Sequence, residues 1–461
     1  MLRSRNKDTD QPSLVDEWLP KSYFSLPDEL RKVDELLSDE RFIEPFAKHF
    51  SRSCGRPSTP IDVYLRMMYL KRRYGLGYER LCKEVADSIT WRRFCHIRLE
   101  DDVPDFTTLA KLTKKFGDKA LEELNDLLIH KAVDEKLIRS RKVRVDSTVV
   151  QADIHHPTDA RLLSDGVRVL TRIVGKIKQA GSAIGAKFRD RTRSVKKRLL
   201  SITKFSRRRT GQAKAEVMTK VQEIATICRE VIGQAEKVST MTRSEIPKRR
   251  ADRVSKVERL VTELDSAISI VEKVISQTDK VISGIKSIAG RVVSIFDQGA
   301  RPIRRGKERA DTEFGRKLFL AESQEKLIVG YKVLEGNPAD SQEAVPMAQK
   351  VQDTLDRSLE EFAADRGFYS KDNETGLEAL GIKHVAIPKP GKCSAKRKEI
   401  ESTSWFKRLK RWRSGGEATI SLLKRKYGLN RCLFKGSDGT AAWVGISVFT
   451  HNLDKLVALT T

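Results

Sequence analysis

The sequence predicts a chain of the mixed α+β or α/β class: a sheet core, a helical domain ahead of it and a long helical coiled-coil insertion within it. Three observations predict this. Runs rich in β-branched residues surround Asp146 and a short apolar run precedes Asp365, as strands do. Apolar residues recur at helical spacing between 57 and 117, and heptad spacing runs through 160–303, where aromatic residues are few.

Taken in chain order, residues 1–56 read as an N-terminal arm and 57–135 as a helical domain. Ile61, Tyr64, Leu65, Met68 and Tyr69 make one apolar stripe, and Tyr74-Gly-Leu-Gly77 breaks it. A second helix starts at Tyr78, and a third starts in Asp87-Ser-Ile-Thr-Trp91 with Asp87 or Ser88 as its cap. Arg66, Lys71, Arg72, Arg73, Arg92 and Arg93 are expected to give these helices a basic surface. That surface is compatible with a helix-turn-helix reader of DNA, and equally with a bundle whose bases are merely solvated.

The sheet core is expected in two pieces, 136–159 and 306–461. Lys142-Val-Arg-Val-Asp146-Ser-Thr-Val-Val150 alternates polar and branched residues and reads as a strand with Asp146 near its middle. In Glu361-Phe-Ala-Ala-Asp365-Arg-Gly-Phe-Tyr369 an acid closes a short apolar run and Gly367 opens a turn. Trp412-Arg413-Ser-Gly-Gly-Glu417-Ala-Thr-Ile-Ser-Leu-Leu-Lys424 sets Arg, Glu and Lys at R-x3-E-x6-K spacing on what reads as one helix. Glu417 and Lys424, seven residues apart, then share a face.

Between these pieces, 160–305 reads as a helical insertion. The stripe Val254, Val257, Val261, Leu264, Ile268, Val271, Ile275, Thr278, Ile282, Ile285, Ala289, Val292 and Phe296 steps by 3 and 4 residues and predicts a coiled-coil seam. Similar stripes run through 163–177 and 217–238. Breaks are expected at Gly181–Gly185 and at Pro247 with Lys248-Arg-Arg250. Because the strands on either side of the insertion must lie together, its helices have to leave and return, as a hairpin or small bundle. They could pair within one chain or with a second subunit. Basic clusters stand at 196–198, 207–209, 248–250 and 304–307; those between 186 and 215 have few matching acids, and Arg207, Arg208 and Arg209 are expected to contact DNA.

Three acids, Asp146, Asp365 and Glu417, form the set that would hold a pair of divalent cations for in-line attack on a phosphodiester. Carboxylate oxygens suit Mg2+ or Mn2+ better than zinc. With these motifs the chain resembles the DDE transposases of bacterial insertion sequences. The resemblance rests on Val-Asp146-Ser-Thr, on Ala-Asp365-Arg-Gly-Phe-Tyr, and on Arg413, Glu417 and Lys424. It extends to Phe314-Gly-Arg-Lys317-Leu and Leu334-Glu-Gly-Asn337-Pro-Ala-Asp340, which look like the second and third strands, and to Val448-Phe-Thr-His-Asn452-Leu. Lys410 stands where the family signature carries Tyr, three residues before Arg413.

The resemblance implies a ribonuclease-H-like mixed sheet and an N-terminal domain that recognises terminal inverted repeats. It implies a DNA transposase that cleaves element ends and joins them to target DNA with two Mg2+ or Mn2+ ions, in a synaptic homodimer. Arg413, Lys424 and Lys410 would meet phosphate, while Asn337 and Asp340 read as structural turn residues. A metal-dependent nuclease without strand transfer, or a domesticated DNA-binding protein, are the alternatives.

Composition agrees. Ninety Lys and Arg against 63 acids give a formal charge of +27, which favours a polyanionic partner. With no apolar run near 18 residues and no apolar segment after Met1, neither a membrane span nor secretion is expected; a cytoplasmic, nucleoid-associated bacterial protein is. The six cysteines have no C-x2-C pair and read as reduced thiols.

Overall fold

Residues 20, 25–51, 54–208, 210–246, 251–285, 287–307 and 310–460 are described by the computed structural model. The chain divides into two compact units, 1–153 with 315–461, and 154–314.

Helices open the first unit: α1 (Asp28–Leu37), α2 (Glu44–Ala47), α3 (Ile61–Arg73), α4 (Tyr78–Asp87), α5 (Ile89–Phe94), α6 (Phe106–Phe116) and α7 (Lys119–Asp134). Local chemistry sets their ends. The Ser88 hydroxyl accepts from the Trp91 amide and caps α5, so Ser88 rather than Asp87 does this work. The Asp105 carboxylate accepts from the Thr107 amide and starts α6, which Gly117 ends at φ +69°. Phe116 gathers Phe46 and Tyr64 edge to face, with ring centroids 4.7 and 5.1 Å away.

The expected basic surface is not formed here. Arg66, Lys71 and Arg72 are buried along with nearly all of α3. Arg66 pairs with Asp34, and the Arg72 guanidinium lies 3.8 Å from the centre of the Trp443 ring. Burial pulls the Lys71 ammonium down to about 7, so even its charge is weakened. Arg73 pairs with Glu29 and Asp454. Arg92 donates to the carbonyls of Ala86, Arg98, Leu99 and Asp101, closing the loop after α5, and Arg93 is half-buried. The reason is position: α3 is covered by α1, α4 and the C-terminal helix, whereas the stripe 61/64/65/68/69 predicts only one buried face.

Among the described residues the strands are β1 (Lys142–Ala152), β2 (Arg301–Lys307), β3 (Ala310–Ser323), β4 (Ile328–Val333), β5 (Glu361–Ala364), β6 (His384–Ala386) and β7 (Arg431–Cys432). β3 runs antiparallel to both β1 and β4, while β5 runs parallel to β1 and to β6. The path β4-β3-β1-β5-β6 is that of a ribonuclease-H-like core, with β2 beside β3 and β7 parallel to the end of β1. Gly315 is needed where β3 crosses β1, because a Cβ there would lie 2.0 Å from the Val150 carbonyl oxygen. The third strand is shifted from its expected place. It is Ile328–Val333, and Leu334–Asp340 is the turn after it, forced by Gly336 at φ +75° and by Pro338.

The helices of the second unit are α8 (Asp159–Gln179), α9 (Thr192–Phe205), α10 (Gly211–Glu245) and α11 (Ala251–Ile282). Apolar stripes of α8, α10 and α11 face one another, with Leu163, Leu170, Ile224, Val231, Leu264 and Val271 in the shared core, and α9 packs on α8 and α10. Gly166 allows the closest approach, since a Cβ there would sit 2.8 Å from Val271 Cγ2. The expected seam overruns: α11 stops at Ile282, Gly284 turns at φ +91°, and Ile285 and Phe296 are exposed. The break at 181–185 follows α8, while Pro247 and Lys248-Arg-Arg250 lie outside the described residues.

Returning to the first unit, α12 (Ala344–Leu355), α13 (Lys371–Ala379), α14 (Ala395–Ser402), α15 (Ser404–Ser414), α16 (Gly416–Lys426) and α17 (Gly436–Leu459) complete the chain. α17 packs against α1, α3, α7 and β4, so one continuous apolar core joins the N-terminal helices to the sheet. Asn452 fixes α17 to β4 by accepting from the Ile328 amide and donating to its carbonyl, both at 2.9 Å. None of the six cysteines is disulfide-bonded, and among the described residues no helix is long and apolar enough to cross a membrane.

Candidate active site

Parallel pairing of β1 and β5 brings two acids together. Val145 is in register with Ala364, so the next residues, Asp146 and Asp365, emerge side by side. Asp146 accepts from the Ser147 amide at 2.8 Å. Asp365 caps the short turn Arg366–Phe368 through the Arg366 amide. The Arg413 guanidinium reaches both, with Nη2 3.0 Å from Asp146 Oδ2 and 3.6 Å from Asp365 Oδ2. Asp146 and Arg413 are 17% and 18% exposed, and Asp365 is 49% exposed, so the pair opens to solvent on the Asp365 side.

Arg413 owes its position to a second arginine. On β1, Arg144 lies two residues before Asp146, hence on the same face. Arg144 donates from Nε and Nη2 to both oxygens of Glu322, its register partner on β3, at 2.9 and 2.7 Å. Its Nη1 donates to the Trp412 carbonyl at 2.7 Å, and Thr419 Oγ1 donates to Glu322 Oε1 at 2.8 Å. One buried ion pair therefore holds the end of α15 through Trp412 and the start of α16 through Thr419.

This corrects the expectation of a single helix under R-x3-E-x6-K. Arg413 ends α15, whereas Glu417 and Lys424 lie on α16, with Gly415 between them. The Arg144 side chain explains the Ser-Gly-Gly sequence. A Cβ on Gly415 would be 2.9 Å from Arg144 Nη1, and one on Gly416 would be 3.3 Å from Nε.

The other expected residues are placed as follows. Glu417 is exposed in the first turn of α16, and Lys424 is half-buried two turns on. Among the described residues no three of His, Cys, Asp and Glu are grouped closely enough to hold a metal, so Glu417 does not join Asp146 and Asp365 in this conformation. Lys410 is exposed on α15; Arg207 and Arg208 are exposed after α9, and Arg209 lies outside the described residues. Asp340 accepts from Ser147 Oγ at 3.1 Å and pairs with Lys317, tying the turn after β4 to β1.

Sequence reasoning missed Arg144, Glu322 and Thr419. The available signal was Arg144 itself, a charged residue at i−2 from the first acid and therefore on the same face of the strand. As for metal chemistry, the two convergent carboxylates offer hard oxygen donors around a point where a cationic guanidinium already sits, which fits Mg2+ or Mn2+.

Comparison with known proteins agrees with this geometry. The model described as Transposase domain (DUF772) matches residues 18–115, and the model described as Transposase DDE domain matches residues 289–453, which include Asp365, Arg413, Glu417 and Lys424. The chain belongs to the DDE transposases of insertion sequences. It is also similar to "Uncharacterized protein ORF8 in nfe locus" of Rhizobium meliloti, 31% identical over 137 residues, or 29% of this chain. The chain spans 66% of that relative's length. No solved structure matches.

Proposed function

We propose that this transposase binds the terminal inverted repeats of its element, cuts a strand at each end by hydrolysis, and joins the freed 3′-hydroxyl to target DNA by transesterification. The observation that carries the reading is the convergence of Asp146 and Asp365 at the ends of adjacent parallel strands, with Arg413 between them. Asp146, Asp365 and Glu417 are the residues that would hold two Mg2+ or Mn2+ ions, which when bound activate the attacking oxygen and stabilise the leaving one.

The chain's own groups account for the remaining tasks. Arg413, Lys410 and Lys424 hold phosphates near the scissile bond, Arg413 exchanging carboxylate for phosphate as DNA arrives. Glu417 is the third acid of the set, on the first turn of α16. Arg207 and Arg208, with Arg209, contact DNA away from the site. Synapsis of two ends calls for a homodimer, acting in the cytoplasm at the nucleoid. An enzyme that cuts without joining would use the same residues.

The test is cleavage of a labelled duplex carrying the element's terminal repeat in Mg2+ or Mn2+, comparing wild type with Asp146→Ala and Glu417→Ala. Nicking at the repeat end by wild type alone, with DNA binding kept by both variants, is expected. Cleavage by both variants at the wild-type rate would overturn the acid assignment. A strand-transfer assay with pre-nicked ends then separates a transposase from a nuclease.

A further inference from the structure

Between Arg191 and Ala215 the chain has ten Lys and Arg and no Asp or Glu. Most of these residues lie on or beside α9. The inner face of α9 is apolar: Val195 is buried, and Leu199 and Ile202 pack against the core shared by α8, α10 and α11. Among the described residues, Arg191 is paired with Glu230 at 2.9 Å and Arg198 with Glu223 at 2.7 Å. Arg193, Lys196, Lys197 and Lys204 are exposed, and none of them has a carboxylate partner among the described residues.

These four form a stripe. Successive steps of 100° per residue place Arg193, Lys197 and Lys204 within about 40° of one another, with Lys196 at the edge and the exposed Leu200 in line. From Arg193 to Lys204 the stripe is about 16 Å long, just under half of a 34 Å turn of B-DNA.

An ordinary solvated helix face is a poor account of this arrangement. Arg193 and Lys197, four residues apart, repel, and no acid intervenes to relieve them. Asp190, just before α9, accepts from the Thr192 amide at 2.8 Å, but the first turn itself carries Arg193 and no acid, a cation where the helix dipole favours an anion. α10, which begins directly after the exposed Arg207 and Arg208, likewise has no acid in its first turn. By contrast α11, in the same unit, alternates Lys256, Glu258, Arg259 and Glu263. The charge is therefore concentrated on one face.

We propose that the outer face of α9 is a docking surface for the phosphate backbone of duplex DNA, separate from the three-acid site and indifferent to base sequence. A continuous row of long cationic side chains matches a regular polyanion, and the flexible Lys and Arg stems follow the strand without base contacts. The inference rests on the transposase reading and adds to it a second grip on the DNA.

The experiment uses the full chain and a labelled 30-base-pair duplex of arbitrary sequence, with binding measured across a salt series. The fourfold variant R193Q/K196Q/K197Q/K204Q is compared with K256Q/R259Q/K273Q/K280Q, which removes the same charge from α11; circular dichroism checks that both keep their helices. Each phosphate contact contributes about 0.9 to the slope of log K against log salt, so the α9 variant should lose roughly 3 to 4 from that slope and the α11 variant almost nothing. Equal losses in the two variants would mean that only net charge acts, and would overturn the proposal. So would a wild-type slope in the α9 variant, with the transposase reading left standing. Failure of wild type to bind this arbitrary duplex at all would also overturn the proposal, while the terminal-repeat reading is judged by its own cleavage assay. Polyglutamate supplies the last arm: if the α9 variant loses affinity for it but not for DNA, the face takes an acidic protein instead.

Discussion

Two arginine–carboxylate pairs lie within a few residues of each other, and they do opposite things. Arg144 and Glu322 are 6% and 5% exposed, joined by two parallel hydrogen bonds, and tied further to Trp412 and Thr419. Arg413 meets Asp146 through a single nitrogen, also leans on Asp365, and remains three times as open to water. The closed pair has no exchangeable partner and acts as scaffold. The open pair is held loosely enough for its cation to be replaced. Burial and the number of hydrogen bonds, rather than residue type, separate structure from chemistry here.

The largest way to break the comparison is at the closed pair. Removing one partner with Glu322→Ala leaves a buried guanidinium uncompensated and should cost about 3–5 kcal/mol, read as a large drop in the denaturation midpoint. Arg144→Met with Glu322→Leu should recover most of that stability while cleavage stays impaired, because nothing then holds Trp412 and Thr419. Full activity in a stable double variant would show that the junction needs no such tie.

A prediction of intermediate size concerns pH. Burial pushes the His451 imidazole down to about 4, and its Nε2 donates to the Lys326 carbonyl at 3.1 Å. Its folded pKa lies below the unfolded value near 6.5, so the unfolded chain takes up the proton first. Stability is then full above pH 6.5 and is lost as pH falls toward 4, by up to about 3 kcal/mol. His451→Gln should flatten that part of a stability–pH curve; an unchanged curve would locate the acid sensitivity elsewhere.

The smallest stability effect belongs to the open pair. Arg413→Gln should change unfolding free energy by only about 1 kcal/mol, as for a partly exposed ion pair, yet abolish efficient cleavage. A loss as large as that of Glu322→Ala would mean that both pairs are scaffold.

Much of this was legible in the chain. Alternation around Asp146 and the apolar run before Asp365 name both strands, because strand periodicity depends on near neighbours alone. What was not legible depended on distant packing. Lys71 and Arg72 look like surface residues until α17 covers them. Heptad spacing continues by coincidence through Ile285, Ala289, Val292 and Phe296, where Gly284 has already ended the helix. R-x3-E-x6-K suits one helix, and only the Arg144 side chain, arriving from 268 residues earlier at the Trp412 carbonyl, splits it into two.

The central claim is that Asp146 and Asp365 form a cation site in which Arg413 stands where a divalent ion can. Calorimetric titration with Mn2+ of wild type, Asp146→Asn and Arg413→Gln tests it most directly. Wild type should bind, Arg413→Gln should bind more tightly because the competing guanidinium is gone, and Asp146→Asn should not bind. Equal Mn2+ affinity in wild type and Asp146→Asn would contradict it.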